Sequence, residues 1–372
     1  MQFLVFTLHL LSNAMRKVDF FLLLTVLALS IFGLFIIYDA SSFVAFRDFA
    51  DKAHYLKEQF FWIILGVIAM GIFSILDYHK LYNLALPILA ISFVLLLLVF
   101  VPGIGLNLLG ARRWIDFKFV TLQPTEFTKL ALAIYLSAWF SNKEKGTFWA
   151  FCLLVGSILS LVMLQPDMGT AGIIMAEALA IFFLSGASLS YFFVLVPSVF
   201  LIGMVLIKLA PYRANRLATF LNFNQSPDTY SYHVRQILIA LGSGGLTGVG
   251  LGNSLQKYAY LPENTTDSIF AIIGEEVGFI GATLIIILFM IAIWRGFHIA
   301  IHAKDTFGRL LAGGITTFLA AQVLVNLAAQ TALLPLTGVP LPFVSYGGSA
   351  LIMNLTSVGI LLNISRQGHH SK

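Results

Sequence analysis

The sequence predicts an all-α polytopic membrane protein with about ten transmembrane helices and a long extracytoplasmic loop between the seventh and eighth helices. Three observations lead to this fold class. Of the 372 residues, 59% are hydrophobic and only 10% are charged, against about 25% charged in an ordinary soluble domain. The mean hydropathy is +0.92. The apolar residues also form runs of about 17 to 25 residues, the length that spans a bilayer.

The apolar runs fill most of the chain, and short polar links separate them. Glu126 and Gln165, at ends of the short fourth and fifth runs, indicate that these two runs border a cavity. Since nearly every segment is a run or a link, we expect one membrane domain over residues 15–372. The runs lie at about 18–38, 58–76, 83–102, 126–141, 148–164, 169–186, 190–210, 268–294, 309–333 and 347–364.

Residues 1–14 form a short apolar extension of uncertain status. They lack the basic first region of a signal peptide, so they are either the product of an upstream start codon or an interfacial segment. The single cysteine, Cys152, lies in an apolar run, which excludes a disulfide framework and a cysteine metal site.

An even number of spans places both termini on one side of the membrane. Basic residues in the short links of that side identify it as cytoplasmic, although the number of basic residues on the two sides is nearly equal. The basic residues on the predicted cytoplasmic side are Arg16, Lys17, Lys80, Lys143, Lys145, Arg295, Arg309, Arg366 and Lys372.

The largest segment outside the runs, 211–267, is then extracytoplasmic. It contains an amphipathic piece at about 230–241 and a glycine run at 242–252. The glycine run lacks the Gly-Lys-Ser/Thr ending of a phosphate-binding loop, so we interpret it as a site of close backbone packing.

Three carboxylates lie where this loop meets the eighth run: Asp267, Glu275 and Glu276. A charged side chain near lipid is costly, and such residues usually face a protein interior or a water-filled cavity. Asp267 is positioned to cap the helix, to act as a general base or to bind a metal. Helix geometry lets Glu275 line the same cavity and directs Glu276 to other partners.

Two further groups of charged residues are candidates for this cavity. Glu126 and Lys129 are three residues apart on one helical face, where they form either a structural ion pair or part of the site. Several basic residues of the extracytoplasmic loops are suited to bind a diphosphate, because guanidinium groups match phosphate oxygens, although basic residues also anchor membrane helices. These are Arg112, Arg113, Arg213, Arg216 and Lys257.

Gln322, Asn326 and Gln330 recur every four residues in the ninth run. This polar stripe must face protein or water. We expect interhelical hydrogen bonds from it, with lining of a ligand site as the alternative.

The motifs, in their order along the chain, resemble those of the SEDS family of bacterial envelope proteins, the FtsW/RodA/SpoVE group. The resemblance covers the chain from Met15 to about Arg366. One departure is Thr265, which stands where many members carry histidine. The motifs are GARRWI (110–115), QPTEFTKL (123–130), QPDMGT (165–170), the glycine run, QKYAYLPENTTDSIFAIIGEE (256–276) and LPFVSYGGS (341–349).

The resemblance implies a glycosyltransferase that polymerises lipid II into glycan strands at the outer face of the bacterial cytoplasmic membrane and releases undecaprenyl diphosphate. The family's essential acid falls on Asp267, and its charged pair falls on Glu126 and Lys129. A divalent cation, Mg²⁺ or Mn²⁺, is an expected cofactor with Asp267 as its ligand, and no organic cofactor is implied.

The partners that the resemblance implies are the growing glycan strand, a monofunctional class B penicillin-binding protein and other membrane proteins of the division or elongation machinery. We favour division over elongation. No feature predicts a nucleic-acid partner. Two alternatives remain open: a transporter that flips lipid II between leaflets, and a scaffold that only recruits the transpeptidase.

Overall fold

The computed structural model describes residues 18–108, 111–117, 121–142, 148–221, 229–258 and 261–368. The predicted N-terminal extension, 1–14, and the link residues Lys143 and Lys145 lie outside these ranges. The described helices are α1 Phe20–Phe49, α2 His54–Ile75, α3 His79–Leu98, α4 Pro124–Ser141, α5 Phe148–Leu164, α6 Met168–Leu184, α7 Leu189–Leu209, α8 Pro211–Leu221, α9 Thr229–Ser243, α10 Ile269–Ile301, α11 Thr306–Gln330 and α12 Gly348–Gly368.

Each of the ten apolar runs forms a helix, which confirms the predicted helical fold class. By length and composition, seven helices in the described part of the chain can cross a membrane: α1, α2, α3, α7, α10, α11 and α12. Helices α5 and α6 are apolar but have 17 residues each, the lower end of the spanning range. The exact number of spans stays a prediction.

Burial divides the helices into a centre and a periphery. Most residues of α4, α11 and α12 are buried, and α12 packs along α2 while α11 packs against α6 and α10. No residue of α7 is buried, which is typical of a helix with an apolar surface all round that faces lipid. The polar residues of the central helices are therefore shielded from lipid by the outer ones.

A small antiparallel sheet interrupts the all-α architecture before α4. Strands β1 (Gly105–Leu108), β2 (Ala111–Asp116) and β3 (Thr121–Leu122) pair in the order β1-β2-β3. The pairing satisfies backbone groups of the 99–123 link and gives its arginines fixed positions along a strand.

The backbone of α10 is broken at Gly278, which has φ 68° and ψ −170°. The break frees backbone groups on both sides, and the glycine run satisfies them. Val249 N–H donates to Glu275 O at 3.0 Å, and Phe279 N–H donates to Gly245 O at 2.9 Å. Unsatisfied backbone groups are costly at membrane depth, so the run functions as a backbone partner for the broken helix.

This contact confirms close backbone packing of the glycine run. A Cβ atom on Gly244 would lie 2.0 Å from Gly274 O, and one on Gly248 would lie 2.1 Å from Glu276 O. Because glycine has no side chain, the two backbones can come this close at both positions.

The predicted long loop is folded. The amphipathic piece forms α9, α8 precedes it, and turns connect α9 to α10. One end of the bundle, called the site end below, carries the described residues 99–108, 111–117, 121–123, 165–167, 210–221, 229–258, 261–268 and 331–347.

Candidate active site

Asp267 lies at the site end, two residues before α10 begins. The helix has Ser268 as its N-cap residue and no side-chain cap hydrogen bond there, so the predicted capping role of Asp267 is wrong. Its backbone carbonyl instead accepts hydrogen bonds from Gln330 Nε2 at 2.8 Å and Asn326 Nδ2 at 3.1 Å. The side chain is left available for chemistry and keeps part of its surface accessible.

Burial raises the pKa of Asp267 from its ordinary 3.8 to about 7. The nearby carboxylates of Glu263 and Asp167 add to the rise, while Arg113 and Arg216 oppose it. A carboxylate with a pKa near neutral is a better general base than an ordinary aspartate.

Arg113 and Arg216 are the two predicted arginines whose charge acts on Asp267. Arg113 projects from β2, and its Nε donates to Gln165 O at 3.2 Å while Nη2 donates to Pro166 O. Arg216 projects from α8, and its Nη1 donates to Leu336 O at 3.3 Å. Two separate segments therefore bring positive charge to the carboxylate.

The other predicted basic residues lie elsewhere. Arg112 is exposed beside Arg113 on β2. Arg213 donates to the carbonyls of Leu206 and Met163, at 3.1 and 3.2 Å, and so joins the ends of α7 and α5.

Lys257 is bound by carboxylates. Its Nζ lies 2.9 Å from Asp39 Oδ1 and 3.3 Å from Glu276 Oε1. Burial alone would lower the pKa of Lys257, but the hydrogen bond to Asp39 and the charge of Glu276 raise it overall. Its charge is already compensated, which favours a structural role over diphosphate binding.

Glu275 and Glu276 both contact Ser254, but only Glu276 pairs with Lys257, so the predicted separation of their partners is confirmed in part. Glu275 accepts from Ser254 Oγ and, at 3.2 Å, from Leu255 N–H. Glu276 accepts from Ser254 N–H at 3.3 Å. The 254–257 segment wraps around the helix and reaches both side chains, which places Glu275 in support of this loop.

The polar stripe of α11 forms interhelical and loop hydrogen bonds, as predicted. Asn326 Nδ2 donates to Val339 O at 2.8 Å, and Gln330 Oε1 accepts from Ala271 N–H of α10 at 2.7 Å. Because Asn326 also binds the Asp267 carbonyl, one amide fixes the position of Asp267 relative to the 337–340 turn.

Glu126 and Lys129 form the predicted ion pair, with 2.9 Å between Lys129 Nζ and Glu126 Oε1 and with both side chains almost fully buried. Lys129 also donates to Gln322 Oε1 at 2.7 Å, and Gln322 Nε2 donates to Pro340 O at 3.0 Å. The pair thus contacts the site through the same turn. The ion pair therefore helps to hold this turn in place from the interior of the helix bundle.

Sequence reasoning missed His233 of α9. Its Nε2 lies 2.7 Å from Ser268 Oγ, directly beside Asp267. Burial lowers the pKa of His233 to about 4, and the charge of Arg216 adds to the effect, so the ring is neutral near pH 7. A lone histidine in an amphipathic helix gives no signal of this contact.

The LPFVSYGGS motif also holds the segment before Asp267. Tyr346 N–H donates to Thr265 O at 2.9 Å, and Ser345 Oγ donates to Thr266 O at 2.6 Å. This contact uses the backbone of Thr265, so it does not depend on the side chain at position 265.

Comparisons with known proteins show the family to which the chain belongs. The model of the FtsW/RodA/SpoVE family, described as "Cell cycle protein", matches residues 20–370. Stage V sporulation protein E of Bacillus subtilis is 40% identical over 95% of this chain and 98% of its own length. A protein of Trichlorobacter lovleyi named probable peptidoglycan glycosyltransferase FtsW is 40% identical over 94% of each chain.

Two solved structures share the fold. One concerns the structural coordination of polymerization and crosslinking by a peptidoglycan synthase complex, with 25% identity, a TM-score of 0.78 and coverage of 95% of this chain and 99% of the other. The crystal structure of Thermus thermophilus rod shape determining protein RodA has 26% identity, a TM-score of 0.70 and coverage of 95% and 98%. The family match and the two relatives at 40% identity show that this chain belongs to the FtsW/RodA/SpoVE family.

Proposed function

We propose that this chain polymerises lipid II into glycan strands, with Asp267 as the general base. The class of reaction follows from the family: the chain is a peptidoglycan glycosyltransferase. The observation that carries the assignment of Asp267 is its partly accessible carboxylate, whose pKa burial raises to about 7, within the influence of Arg113 and Arg216.

The reaction requires three groups around the sugar. The ionised Asp267 takes the proton from an acceptor hydroxyl as the hydroxyl oxygen attacks the anomeric carbon of the donor. The bond from that carbon to the diphosphate oxygen breaks with inversion, and undecaprenyl diphosphate leaves with the bonding electrons. Arg113 and Arg216 stabilise the negative charge that develops on the diphosphate.

A divalent cation fits this arrangement as a partner of the substrate. Among the described residues, no group of three or more His, Cys, Asp or Glu side chains is placed to hold a metal ion. Mg²⁺ at phosphate sites is commonly bound by one or two carboxylates together with substrate phosphates. As the alternative to its role as general base, Asp267 would supply the carboxylate that holds the cation, and the cation would offset diphosphate charge.

We further propose a cytoplasmic-membrane location with both termini in the cytoplasm and the site end facing outward, where basic residues would meet the diphosphate of lipid II. The expected partner is a class B penicillin-binding protein. The related peptidoglycan synthase complex, which coordinates polymerization and crosslinking, supports such a pairing. We also propose a role in division in preference to elongation, for which the 40% identity to an FtsW relative is the support; a sporulation protein is equally identical.

The alternative of a lipid II transporter predicts a polar substrate site near the bilayer midplane. The interior charges of α4, Glu126 and Lys129, are paired with each other, whereas Asp267 and its arginines lie together at one end. This distribution favours an enzyme with a surface site.

The test is to incubate purified protein and its transpeptidase partner with lipid II and Mg²⁺ and to separate the glycan products by gel electrophoresis. Wild type should make polymer and Asp267→Asn should make none. Asp48→Asn, the same change at an exposed residue near the end of α1, should behave as wild type. If wild type makes no polymer, or if Asp267→Asn makes as much as wild type, the proposed function is wrong.

A further inference from the structure

Ser268 occupies the N-cap position of α10 but does not cap the helix. A serine at this position ordinarily has an extended backbone and accepts a hydrogen bond from an N–H group of the first turn. Ser268 instead has φ −103° and ψ 11°, and its side chain forms no cap hydrogen bond. Its hydroxyl oxygen lies 2.7 Å from His233 Nε2. A residue of α9 therefore binds the group that would otherwise cap α10.

A second contact orients the imidazole of His233. The ring donates a hydrogen bond to the backbone of Pro262, and the acceptor is the carbonyl because proline has no N–H group. Burial lowers the pKa of His233 to about 4, so the ring is neutral near pH 7. A neutral imidazole has one donor and one acceptor nitrogen. Nδ1 therefore donates to Pro262, and Nε2 accepts from the hydroxyl of Ser268.

The peptide unit that joins Asp267 to Ser268 is held at both of its polar ends. The Asp267 carbonyl accepts from Gln330 Nε2 at 2.8 Å, and Ser268 N–H donates to Glu263 O at 3.1 Å. These bonds attach the unit to α11 and to its own turn. The contact with His233 attaches it to α9 as well. This third contact acts on the conformation of Ser268, which sets the direction in which the chain leaves α10 toward Asp267.

We propose that His233 is a positioning residue for Asp267. By accepting a hydrogen bond from Ser268, it holds that residue out of the capping conformation. Asp267 is thereby kept beside Arg113 and Arg216, whose charges act on its carboxyl group. The inference rests on the proposed function and adds to it a residue that acts through Ser268 and not on the reacting atoms.

The physical reason is that two partners compete for one hydroxyl group. Without the imidazole, the hydroxyl of Ser268 is free to accept from the first turn of α10, as serine does at most helix N-termini. Capping requires an extended backbone at Ser268, which differs from the observed ψ of 11°. This change in the backbone would turn Asp267 away from its position in the site.

Another explanation for the contact is that His233 only packs α9 against the turn before α10. Its neighbour Val234 belongs to a buried apolar cluster with Leu261 and Ala271, so loss of the ring could lower the stability of this region alone. In that case, a side chain that restores either of the two hydrogen bonds should help equally. The positioning role instead requires the bond to Ser268.

The test replaces His233 by alanine, asparagine and glutamine. Asparagine reaches the position of Nδ1 and can donate to Pro262, whereas glutamine reaches the position of Nε2 and can accept from Ser268. We expect His233→Ala to lower kcat for lipid II polymerisation by about a hundredfold, the order expected for a displacement of about 1 Å, with KM largely unchanged. His233→Gln should restore most of the kcat, and His233→Asn should not. His302→Ala, at the opposite end of α10, is the matched control and should behave as wild type.

A double-mutant cycle tests whether His233 acts through Ser268. Ser268→Ala removes the hydroxyl group and should also lower kcat. If the hydrogen bond between the two side chains carries the effect, loss of the second partner adds little to loss of the first. The double variant His233→Ala/Ser268→Ala should therefore be no less active than His233→Ala. The melting temperature of each variant shows that it is folded at the temperature of the assay.

The inference is wrong if His233→Gln and His233→Asn are equally active, if kcat follows the melting temperature, or if the two single losses multiply in the double variant. It is also wrong if His233→Ala matches His302→Ala while Asp267→Asn is inactive, a result that leaves the proposed function intact. Activity of Asp267→Asn equal to wild type would instead contradict the proposed function itself. If His233→Ala does not fold, the comparison of His233→Gln with His233→Asn decides.

Discussion

Replacing Asp267 by asparagine is predicted to abolish activity and at the same time to stabilise the protein at neutral and alkaline pH. Burial raises the pKa of Asp267 from 3.8 to about 7, so the folded protein disfavours the ionised form that the reaction uses. Asparagine has nearly the same shape as the protonated side chain and never ionises. Functional groups held in unfavourable environments often lower stability in this way.

The magnitude follows from the difference between the two pKa values of Asp267. A rise from 3.8 to about 7 corresponds to about 4 kcal/mol at about 1.4 kcal/mol per pKa unit. This is an upper bound, because residue Asp267 as a whole keeps part of its surface accessible. Between about pH 4 and about pH 7 the folded state holds a proton that the unfolded chain releases, so stability falls as the pH rises across this interval.

The assay is reversible unfolding in mixed detergent micelles, or the melting temperature where unfolding is irreversible, for wild type and Asp267→Asn at about pH 5 and about pH 8. The stability advantage of the variant should be about 3 kcal/mol larger at the higher pH. Asp48→Asn controls for loss of an exposed carboxylate. An equal or smaller advantage of Asp267→Asn at pH 8 would refute the reasoning.

Three further predictions concern groups around the site. Glu263→Gln removes a negative charge that raises the pKa of Asp267, so the rising limb of the pH–rate profile should shift to lower pH. Lys129→Met leaves Glu126 buried without its ion-pair partner and should lower the free energy of unfolding by about 3 to 5 kcal/mol. Gly244→Ala places a methyl group 2.0 Å from a backbone carbonyl oxygen of α10 and should lower the melting temperature, whereas Gly242→Ala, whose methyl group would have no atom of the described residues within 4 Å, should not.

Each of these predictions has a result that contradicts it. An unchanged pH profile for Glu263→Gln would show that the charge of Glu263 does not raise the pKa of Asp267. For the ion pair, the double variant Lys129→Met/Glu126→Gln should recover much of the lost stability, since it leaves no unpaired charge, and failure to recover would contradict the argument. Equal melting temperatures for Gly244→Ala and Gly242→Ala would show that the glycine contact with α10 is not tight.

The helices were predictable because lipid imposes a simple rule. Backbone groups at membrane depth must form hydrogen bonds within the segment, so a long apolar run predicts a helix. This rule does not predict the break at Gly278. The apolar pattern is the same on both sides of it, and its backbone partners lie in the glycine run about thirty residues earlier, a pairing that hydropathy does not reveal.

The candidate site was predictable in part. Asp267 could be predicted as a candidate because a carboxylate beside lipid is costly and is usually functional. The sequence did not distinguish Arg113 from Arg112, because only the strand assigns them to different faces: Arg113 binds the 165–166 turn and Arg112 is exposed.

Glu275 illustrates the limit of helix geometry. Its angular position relative to Asp267 was compatible with one shared cavity, but a loop of the same chain occupies its carboxylate. Likewise, neither the contact of His233 with Ser268 nor the position of Gly338 beside Asp267 follows from spacing, since each joins segments that are far apart in the chain.

The most direct test of Asp267 as the general base is the pH dependence of kcat/KM for lipid II polymerisation, which reports the pKa values of the free enzyme. The raised pKa of Asp267 predicts a rate that increases with pH and levels off above a midpoint near pH 7. Any residual activity of Asp267→Asn should lack this limb. A wild-type profile that is flat from about pH 5 to about pH 8, or a limb that persists in Asp267→Asn, would contradict the account.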